Sequence, residues 1–257
     1  MGEGTDVVGV ILCGGEGARL RPLTYYFQKT LLPVGSSHKP VLEYVLRLLK
    51  YHGIEEAVLL VGYKHEQVKH YFGDGERLGM KLTYVIDDPK LGGTGGALLN
   101  AYRKGALGEE NTLLIYYADI LSDIDLRDLL LSHRREGATA TLAVSKGYRV
   151  PVGVVEVEEG TRKIMRFREK PVLDLLVGIG ILALEGQALE HLERLNTSLG
   201  RDKLDLMGDF LPYLIEKGLK VQAYLTSAFW YDMGSIEAYE KLKPEVVDKF
   251  LGFLLKP

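Results

Sequence analysis

An apolar run near the start of the chain leads directly into a glycine-rich, basic loop. Val7–Leu12 has the length and composition of a buried strand, and Gly14–Gly17 follows it. Glycine lets backbone N–H groups approach an anion without interference from a Cβ atom. Arg19, Arg21 and Lys29 lie close behind and supply positive charge. The combination predicts a strand–loop unit that binds a polyphosphate, such as a nucleoside triphosphate, beside the end of the strand.

The order of residues in this loop excludes two other nucleotide-binding motifs. Leu20 stands where a G-x-G-x-x-G dinucleotide fingerprint has its third glycine, and the chain has no G-x-x-x-x-G-K-[ST] sequence. The remaining alternative is a tight turn between a strand and a helix, with arginines that are merely solvated.

Strand and helix patterns alternate through the first half of the chain. The predicted strands are Val7–Cys13, Ala57–Val61, Leu82–Ile86, Thr112–Ala118 and Ala138–Val144. The predicted helices are Pro40–Lys50, Lys64–Tyr71, Thr94–Lys104 and Asp125–Arg135, the last capped by Asp125. This alternation predicts an α/β, Rossmann-like fold with a mainly parallel sheet flanked by helices.

The pattern changes to short strands after Val150. The predicted strands there are Val152–Val157, Ile164–Phe167, Val177–Leu184, Val221–Leu225 and Phe229–Tyr231. They predict an antiparallel extension that holds a substrate beside the parallel sheet. No linker is apparent, so we expect one domain over residues 1–257, with a nucleotide-binding part at about 1–150 and a second part at about 151–245. The apolar tail, 246–257, either packs back on the domain or forms a contact between subunits.

Composition and charge exclude several classes of protein. The net charge of −3 mixes both signs along the chain, which argues against binding to nucleic acid or to an acidic membrane. Cys13 is the single cysteine and no apolar run reaches about 18 residues, so we expect a soluble, cytoplasmic protein. The six histidines fall mostly on predicted helices and are expected at the surface. The sequence contains no Ser/His/Asp or Cys/His arrangement and no zinc-ligand spacing.

Three separate segments are expected to meet at one edge of the sheet, because ligands of open α/β sheets bind at the carboxyl ends of the strands. They are Gly14–Gly17, Gly92–Gly96 and Asp119. The glycine run at Gly92–Gly96 permits close approach of a flat ring or a ribose, with a flexible turn as the alternative. Asp119 ends an apolar strand and suits Mg²⁺, with a helix cap as the alternative. Asp232 would complete that metal site from across the crevice.

A further charged segment, Arg168–Pro171, ends a predicted strand. Lys170 could pair with a monophosphate, and Glu169 could accept hydrogen bonds from sugar hydroxyls. The alternative is a solvated edge of alternating charge.

Together these motifs resemble those of the sugar-1-phosphate nucleotidyltransferases, also called nucleotide-sugar pyrophosphorylases. The resemblance extends from Val8 to about Leu242. The matching segments are Gly14–Thr24, Gln28–Val34, Lys39–Leu42, Gly92–Ala97, Ala118–Asp119, Gly153–Glu156, Glu169–Pro171 and Trp230–Gly234. The family implies a glycosyltransferase-A-like catalytic domain, and we expect no C-terminal β-helix domain.

The resemblance also implies roles for individual residues. Arg19, Lys29, Asp119, Lys170 and Asp232 would be catalytic, with Asp119 and Asp232 holding Mg²⁺. The other nucleotide-binding residues would be Leu12, Gly14, Gly15, Gly17, Asp88, Gly93 and Thr94, and the other sugar-phosphate-binding residues Gly153, Glu169 and Gly178. The implied partners are a nucleoside triphosphate and a sugar-1-phosphate. A sugar-1-phosphate is already ionised at neutral pH, so its in-line attack on the α-phosphorus needs no general base.

The sequence departs from the family pattern at several positions. Ala18, Ala118 and Leu176 replace a threonine, a glycine and an asparagine that are usual there. Asp88 stands where many thymidylyl- and uridylyltransferases have a glutamine, although the adjacent Asp87 leaves the register open. A carboxylate only accepts hydrogen bonds and suits the two-donor edge of guanine. This predicts GTP with mannose-1-phosphate, or otherwise dTTP or UTP with glucose-1-phosphate.

Two other functions remain open. One is a regulatory subunit that binds a nucleotide sugar without turnover, although the retained metal carboxylates argue against it. The other is a cytidylyltransferase acting on a non-sugar phosphate such as inositol-1-phosphate or phosphocholine, which Leu176 and Val177 keep possible.

Overall fold

A seven-stranded sheet organises the chain in a computed structural model that describes residues 7–150 and 152–256. The strands are β1 (Val7–Cys13), β2 (Pro33–Val34), β3 (Lys39–Pro40), β4 (Glu56–Val61), β5 (Lys81–Ile86), β6 (Thr112–Tyr117), β7 (Ile120–Ser122), β8 (Ala140–Arg149), β9 (Val154–Val157), β10 (Ile164–Arg168), β11 (Val172–Glu185), β12 (Val221–Thr226) and β13 (Trp230–Asp232). The helices are α1 (Val41–Tyr51), α2 (His65–Phe72), α3 (Gly93–Arg103), α4 (Leu126–Glu136), α5 (Ala188–Leu199), α6 (Leu211–Glu216), α7 (Ile236–Lys241) and α8 (Pro244–Leu251).

The central sheet has the order β12-β8-β11-β6-β1-β4-β5 and is parallel except at β11. In this sheet Val10 of β1 lies between Val58 of β4 and Ile115 of β6. The inner strands are apolar at nearly every position, because helices cover both faces of the sheet. The predicted mainly parallel α/β fold is thus confirmed.

Two apolar layers hold the helices to the sheet. One layer contains the buried faces of α1, α4 and α8, and the other contains those of α3 and α5. The predicted cap of α4 is present, since the Asp128 N–H donates to Asp125 Oδ1 over 2.9 Å. The prediction for His133 was wrong: it is buried in α4, between the Thr141 hydroxyl and the Glu185 carboxylate, and burial lowers the pKa of its imidazole.

The second half of the chain contributes more to the central sheet than predicted. The strands expected in a separate antiparallel extension, β11 and β12, belong to the sheet itself, and β12 pairs parallel with β8. Strand order depends on long-range pairing, which the local pattern does not contain. The two-stranded ribbon β9–β10 does lie outside the sheet.

The apolar tail packs back on the domain. Within α8, Val247 and Leu251 have no exposed surface, and Leu254 lies buried in the turn that follows. Phe250 stacks on Phe229 with the ring centroids 4.4 Å apart. A contact between subunits through this tail stays a prediction.

Replacing the buried Leu251 by alanine is expected to lower the free energy of unfolding by about 2–5 kcal/mol, because it leaves a cavity under α8. Urea denaturation measures the loss. Leu131→Ala, at a leucine that is 57% exposed on α4, is the matched control and should change stability by less than about 0.5 kcal/mol. Equal effects of the two substitutions would show that the tail is not part of the folded core.

Within the described residues, no helix has both the length and the apolar character that crossing a membrane requires.

Candidate active site

A cavity of about 550 Å³ opens at the carboxyl ends of the parallel strands. The segments predicted to meet at this edge do so, which confirms that part of the prediction. The cavity is lined by Leu12, Gly14, Gly15, Glu16, Arg19, Lys29, Leu60, Asp87, Gly93, Thr94, Ala97, Tyr117, Asp119, Ile120 and Asp232.

The loop after β1 is held in a defined conformation by its own hydrogen bonds. Gly17 has a φ of +64°, and its carbonyl accepts a hydrogen bond from the Thr24 hydroxyl over 2.9 Å. Gly17 itself does not line the cavity, so its role in the structure is to make the turn. Arg19 does line it, and Arg19 Nη2 would lie 2.8 Å from a Cβ atom placed on Gly234. A glycine at that position therefore gives the guanidinium room to reach across the cavity.

Lys29 is fixed at the same end of the cavity by the residue before it. Gln28 is fully buried, and its Nε2 donates to the carbonyl of Cys13 over 2.7 Å. This bond anchors the segment to the end of β1. Lys29 Nζ donates to Asp119 Oδ2 over 2.6 Å, and the side chains are only 17% and 12% exposed. A fixed cation is thus held directly beside the carboxylate that ends β6.

Asp119 and Asp232 come from adjacent backbone segments. The Met233 N–H donates to the Asp119 carbonyl over 2.9 Å, and Asp232 lies opposite Ile120 in the β13–β7 pair. Asp232 Oδ1 accepts a hydrogen bond from the Gly234 N–H over 2.7 Å. Residues 113 positions apart in sequence thereby place two carboxylates on one cavity wall.

The donor set in this cavity suits a magnesium ion that is shared with a substrate. Among residues 7–150 and 152–256, no group of three or more His, Cys, Asp or Glu side chains is arranged to hold a metal by itself. The cavity has four acidic side chains and two basic ones, so an incoming polyanion needs an additional cation to offset repulsion. Mg²⁺ commonly binds one or two carboxylates together with substrate phosphates, and Asp119 with Asp232 matches that requirement.

The glycines after β5 are required for a different structural reason from the one expected. The N–H groups of Gly95 and Gly96 both donate to the carbonyl of Leu204. A Cβ atom on Gly93, whose φ is +82°, would lie 2.4 Å from that same carbonyl oxygen. The close approach is therefore to the chain's own backbone. Gly93 and Thr94 nevertheless line the cavity, and their role in nucleotide binding stays a prediction.

The structure places Asp87, and not Asp88, in the cavity. Asp88 Oδ1 accepts a hydrogen bond from the Lys90 N–H over 2.9 Å. Asp87 lies against Gly14 and Gly62, where an added Cβ would come within 2.0 and 2.5 Å of its Oδ2. Asp87 Oδ1 is buried without a hydrogen-bond partner among the described residues. Burial raises the pKa of the Asp87 carboxyl to about 6.

A second cavity, of about 640 Å³, adjoins the first and shares Tyr117, Ile120 and Asp232 with it. Its other lining residues are Leu142, Tyr148, Val177, Gly178, Ile179, Gly180, Asp205, Met207, Leu211 and Trp230. Gly178, which was expected to bind the sugar phosphate, therefore lines the second cavity and not the first. Sequence reasoning missed Asp205, whose side chain accepts hydrogen bonds from the N–H groups of Met207 and Gly208. The only local signal in the sequence is an aspartate that can cap the following turn, and this predicts a turn, not a ligand-binding residue.

Three predicted sugar-phosphate residues, Gly153, Glu169 and Lys170, line neither cavity. Gly153 and Glu169 lie together beside Phe167 of the β9–β10 ribbon. The hydrogen bond from Lys241 and, more weakly, the charge of Lys170 lower the pKa of Glu237. Glu237 lies in the first turn of α7, the helix that follows β13. Lys170 therefore lies on the side of α7, outside the walls of both cavities.

Comparisons with known proteins agree with this geometry. Residues 8–249 match the family described as nucleotidyl transferase. A UTP–glucose-1-phosphate uridylyltransferase of Synechocystis sp. is 30% identical over 90% of this chain and 61% of its own length. A mannose-1-phosphate guanylyltransferase of Mycobacterium tuberculosis is 32% identical over 94% of this chain and 65% of its own. The chain thus spans a little over three fifths of the length of these two relatives.

Solved structures share the fold. A Bacillus anthracis protein crystallised in complex with a sucrose superposes with a TM-score of 0.75 at 23% identity, over 94% of this chain and 96% of that one. HddC from Yersinia pseudotuberculosis, complexed with GMP-PN, superposes with a TM-score of 0.67 at 21% identity, over 93% and 99%. Because residues 8–249 match it, the chain belongs to the nucleotidyl transferase family.

Proposed function

We propose that this chain joins a nucleoside triphosphate to a sugar-1-phosphate, releasing pyrophosphate and a nucleotide sugar. The observation that carries this proposal is the wall common to both cavities, which includes Tyr117 and Asp232. Ligands bound in the two cavities would meet at that carboxylate. The names of the relatives, which include uridylyl- and guanylyltransferases acting on sugar-1-phosphates, support the same reaction.

Four of the six charged residues of the first cavity act on the triphosphate in this reaction. Arg19 and Lys29 bind the β- and γ-phosphates and stabilise the charge of the departing pyrophosphate. Asp119 and Asp232 hold Mg²⁺, which when bound neutralises charge on the α-phosphate and increases its electrophilicity. The Lys29–Asp119 pair keeps the ammonium beside the metal carboxylate, so the cationic groups act at one end of the cavity.

The step itself is a single displacement. An oxygen of the sugar-1-phosphate forms a bond to the α-phosphorus while the bond from that phosphorus to the α–β bridging oxygen breaks, and its electron pair leaves with pyrophosphate. The second pKa of the attacking phosphate is about 6, so at neutral pH it is already largely a dianion. No side-chain base is required, and the described linings of the two cavities contain no histidine. Catalysis then consists of positioning and charge neutralisation.

Asp87 supports GTP as the nucleotide, replacing Asp88 in the argument made from the sequence. Asp87 lines the cavity, and its carboxylate has hydrogen-bond accepting capacity that the described residues leave unused, which suits a ligand that donates hydrogen bonds. Guanine presents N1–H and N2–H₂ on one edge, whereas uracil and thymine present one donor between two acceptors. A base bound against Asp87 would lie beside the apolar part of the cavity, at Leu60 and Ala97.

The second cavity is the proposed acceptor site, with mannose-1-phosphate as the first candidate and glucose-1-phosphate as the second. Gly178 and Asp205 line it, and Lys170, carried by the segment after β10, would approach the phosphate from outside. Glu169 and Gly153 would contact the sugar from the same segment. A cytoplasmic location and Mg²⁺ as the metal belong to the same proposal.

A substrate grid tests the proposed reaction. Pyrophosphate release is measured with GTP, UTP, dTTP, CTP and ATP against mannose-, glucose- and inositol-1-phosphates and phosphocholine, with Mg²⁺ or with EDTA. We expect release with GTP and a hexose-1-phosphate that EDTA abolishes. Release of pyrophosphate only with CTP and inositol-1-phosphate or phosphocholine would contradict a sugar-1-phosphate acceptor and would indicate a cytidylyltransferase that acts on a non-sugar phosphate. Tight binding of a nucleotide sugar with no release in any combination would favour a regulatory subunit and contradict the proposal.

A further inference from the structure

Residues 202–211, which follow α5 in the chain, contact the start of α3 and also line the second cavity. The Gly92 N–H donates to the Asp202 carbonyl over 2.7 Å, and the Leu204 N–H donates to the Gly92 carbonyl over 2.9 Å. These bonds hold the segment against the first residues of α3, which line the first cavity. Later residues of the same segment line the second cavity, namely Asp205, Met207 and Leu211. One stretch of chain thus supports the wall of one cavity and forms part of the wall of the other.

The Thr94 hydroxyl lies where these two walls meet. It donates to Asp205 Oδ2 over 3.0 Å and accepts a hydrogen bond from the Leu206 N–H over 2.8 Å. A threonine hydroxyl has only one proton, and a carboxylate only accepts hydrogen bonds, so that proton is committed to Asp205. The Thr94 hydroxyl therefore has no proton left to donate to a ligand in the first cavity.

Tyr117 reaches the same hydroxyl from the sheet. It is the last residue of β6 and lines both cavities. Burial raises the pKa of the Tyr117 hydroxyl, and a hydrogen bond with the Thr94 side chain offsets part of that rise. Side chains from β6, α3 and the segment after α5 thus meet between the two cavities. We call Thr94, Tyr117 and Asp205 the junction.

The two oxygens of the Asp205 carboxylate have different partners. Oδ1 accepts hydrogen bonds from the N–H groups of Met207 and Gly208 over 3.0 and 2.7 Å. Oδ2 accepts the bond from the Thr94 hydroxyl. The Oδ1 bonds fix the carboxylate to its own turn, and the Oδ2 bond ties that turn to α3.

We propose that Thr94 is a positioning residue for the second cavity, although it lines the first. Its hydroxyl ties Asp205 and Tyr117 to the start of α3 and so holds the wall that separates the two ligands. Without this hydroxyl the buried Leu206 N–H loses its acceptor and Asp205 loses its link to α3, so the second cavity would bind its ligand less well. The identity of that ligand, a sugar-1-phosphate, rests on the proposed function; the junction itself does not.

A Thr94→Val variant tests the proposal, because valine keeps the shape of threonine and lacks the hydroxyl. The KM for the acceptor should rise about tenfold or more, whereas the KM for the nucleotide should change less than about threefold. Thr94→Ser retains a hydroxyl and should recover most of the loss. Thr226→Val is the matched control: the Thr226 hydroxyl accepts the Ala228 N–H over 3.0 Å and lines neither cavity, so its KM values should equal those of the unaltered protein.

A double variant tests whether Thr94 and Asp205 act through one bond. Asp205→Asn keeps an oxygen for the N–H groups of Met207 and Gly208 and replaces the oxygen that accepts from Thr94 by an NH₂ group. Thr94→Val combined with Asp205→Asn should raise the acceptor KM no more than the more damaging single substitution. Effects that multiply would show that the two residues act independently and would overturn the proposal. If the valine variant does not fold, Asp205→Asn alone should still raise the acceptor KM more than the nucleotide KM.

The opposite pattern of KM values, a raised nucleotide KM with an unchanged acceptor KM, would make Thr94 a direct nucleotide contact and would overturn the proposal. Hydrogen exchange of the free protein gives a readout without substrates. Thr94→Val should speed amide exchange in residues 204–210 and leave α1 unchanged; no difference from the unaltered protein would contradict the junction. If the unaltered protein turned over no pair of substrates, the proposed function would fail, and the exchange difference would still decide whether the junction exists.

Discussion

An Arg19→Gln variant is expected to turn over about 10²- to 10³-fold more slowly than the unaltered protein while keeping its fold. Arg19 lines the first cavity and reaches across it to Gly234, beside Asp232. Its charge is therefore placed where the triphosphate must lie, and glutamine retains hydrogen bonding without that charge. Initial rates at saturating substrates measure the effect, and circular dichroism checks the fold.

Arg21 provides a matched control from the same loop. It does not line the cavity; its guanidinium pairs with Glu16 over 3.5 Å and lies over the ring of Tyr25. Surface ion pairs of this kind contribute about 0–1 kcal/mol, so Arg21→Gln should leave the rate close to that of the unaltered protein. Equal losses in both variants would mean that the loop acts through its total charge, and would contradict the role assigned to Arg19.

Replacing Asp87 by asparagine is expected to reduce the preference for GTP over UTP by about 5- to 150-fold, which corresponds to the roughly 1–3 kcal/mol of a well-placed pair of hydrogen bonds. The asparagine amide would present a donor to the donor edge of guanine, while it could donate to an acceptor oxygen of uracil. The ratio of kcat/KM for the two nucleotides measures the change. Asp88→Asn should leave the ratio unchanged, because Asp88 bonds to the Lys90 N–H outside the cavity. A change in the ratio with Asp88→Asn and none with Asp87→Asn would refute this assignment.

The pH dependence of GTP binding provides a second test of Asp87. Because its pKa is raised to about 6, the free carboxyl gains a proton as the pH falls through that value. A protonated carboxyl no longer accepts two hydrogen bonds, so the KM for GTP should rise below about pH 6. Asp87→Asn should abolish this rise. The same pKa shift affects the stability of the free protein. The native state binds this proton more tightly than the unfolded chain does, because burial raises the pKa of Asp87. The contribution of Asp87 to the free energy of unfolding therefore decreases as the pH rises toward about 6.

Local sequence patterns predicted the fold class and four of the six charged residues of the first cavity, which are Arg19, Lys29, Asp119 and Asp232. Lys29, Asp119 and Asp232 follow strand-like or glycine-rich segments, and the ends of parallel strands meet at one edge. The choice between Asp87 and Asp88 could not be made in this way, because successive side chains at the end of a strand point in opposite directions. An error of one residue in the register therefore selects Asp88, which lies in the turn, where Asp87 is the residue that lines the cavity.

Features that depend on long-range packing were not accessible from the sequence. The glycines of α3 fit against Leu204, more than 100 residues away, and nothing local separates that contact from contact with a ligand. The central position of β11 and the burial of His133 likewise depend on pairing across the sheet. The strand-like pattern of β9 and β10 does not show whether their apolar side chains are covered, and the structure reveals that Val155, Ile164 and Phe167 are exposed.

Phosphorus NMR of one reaction mixture tests the central claim most directly. The protein is incubated with Mg²⁺, GTP and mannose-1-phosphate, or with whichever pair the substrate grid selects. The account predicts that a diphosphate linked at both ends and free pyrophosphate appear in equal amounts while the triphosphate and the sugar phosphate disappear. Release of inorganic phosphate without the linked diphosphate, or an unchanged triphosphate with the folded protein and every acceptor, would contradict it.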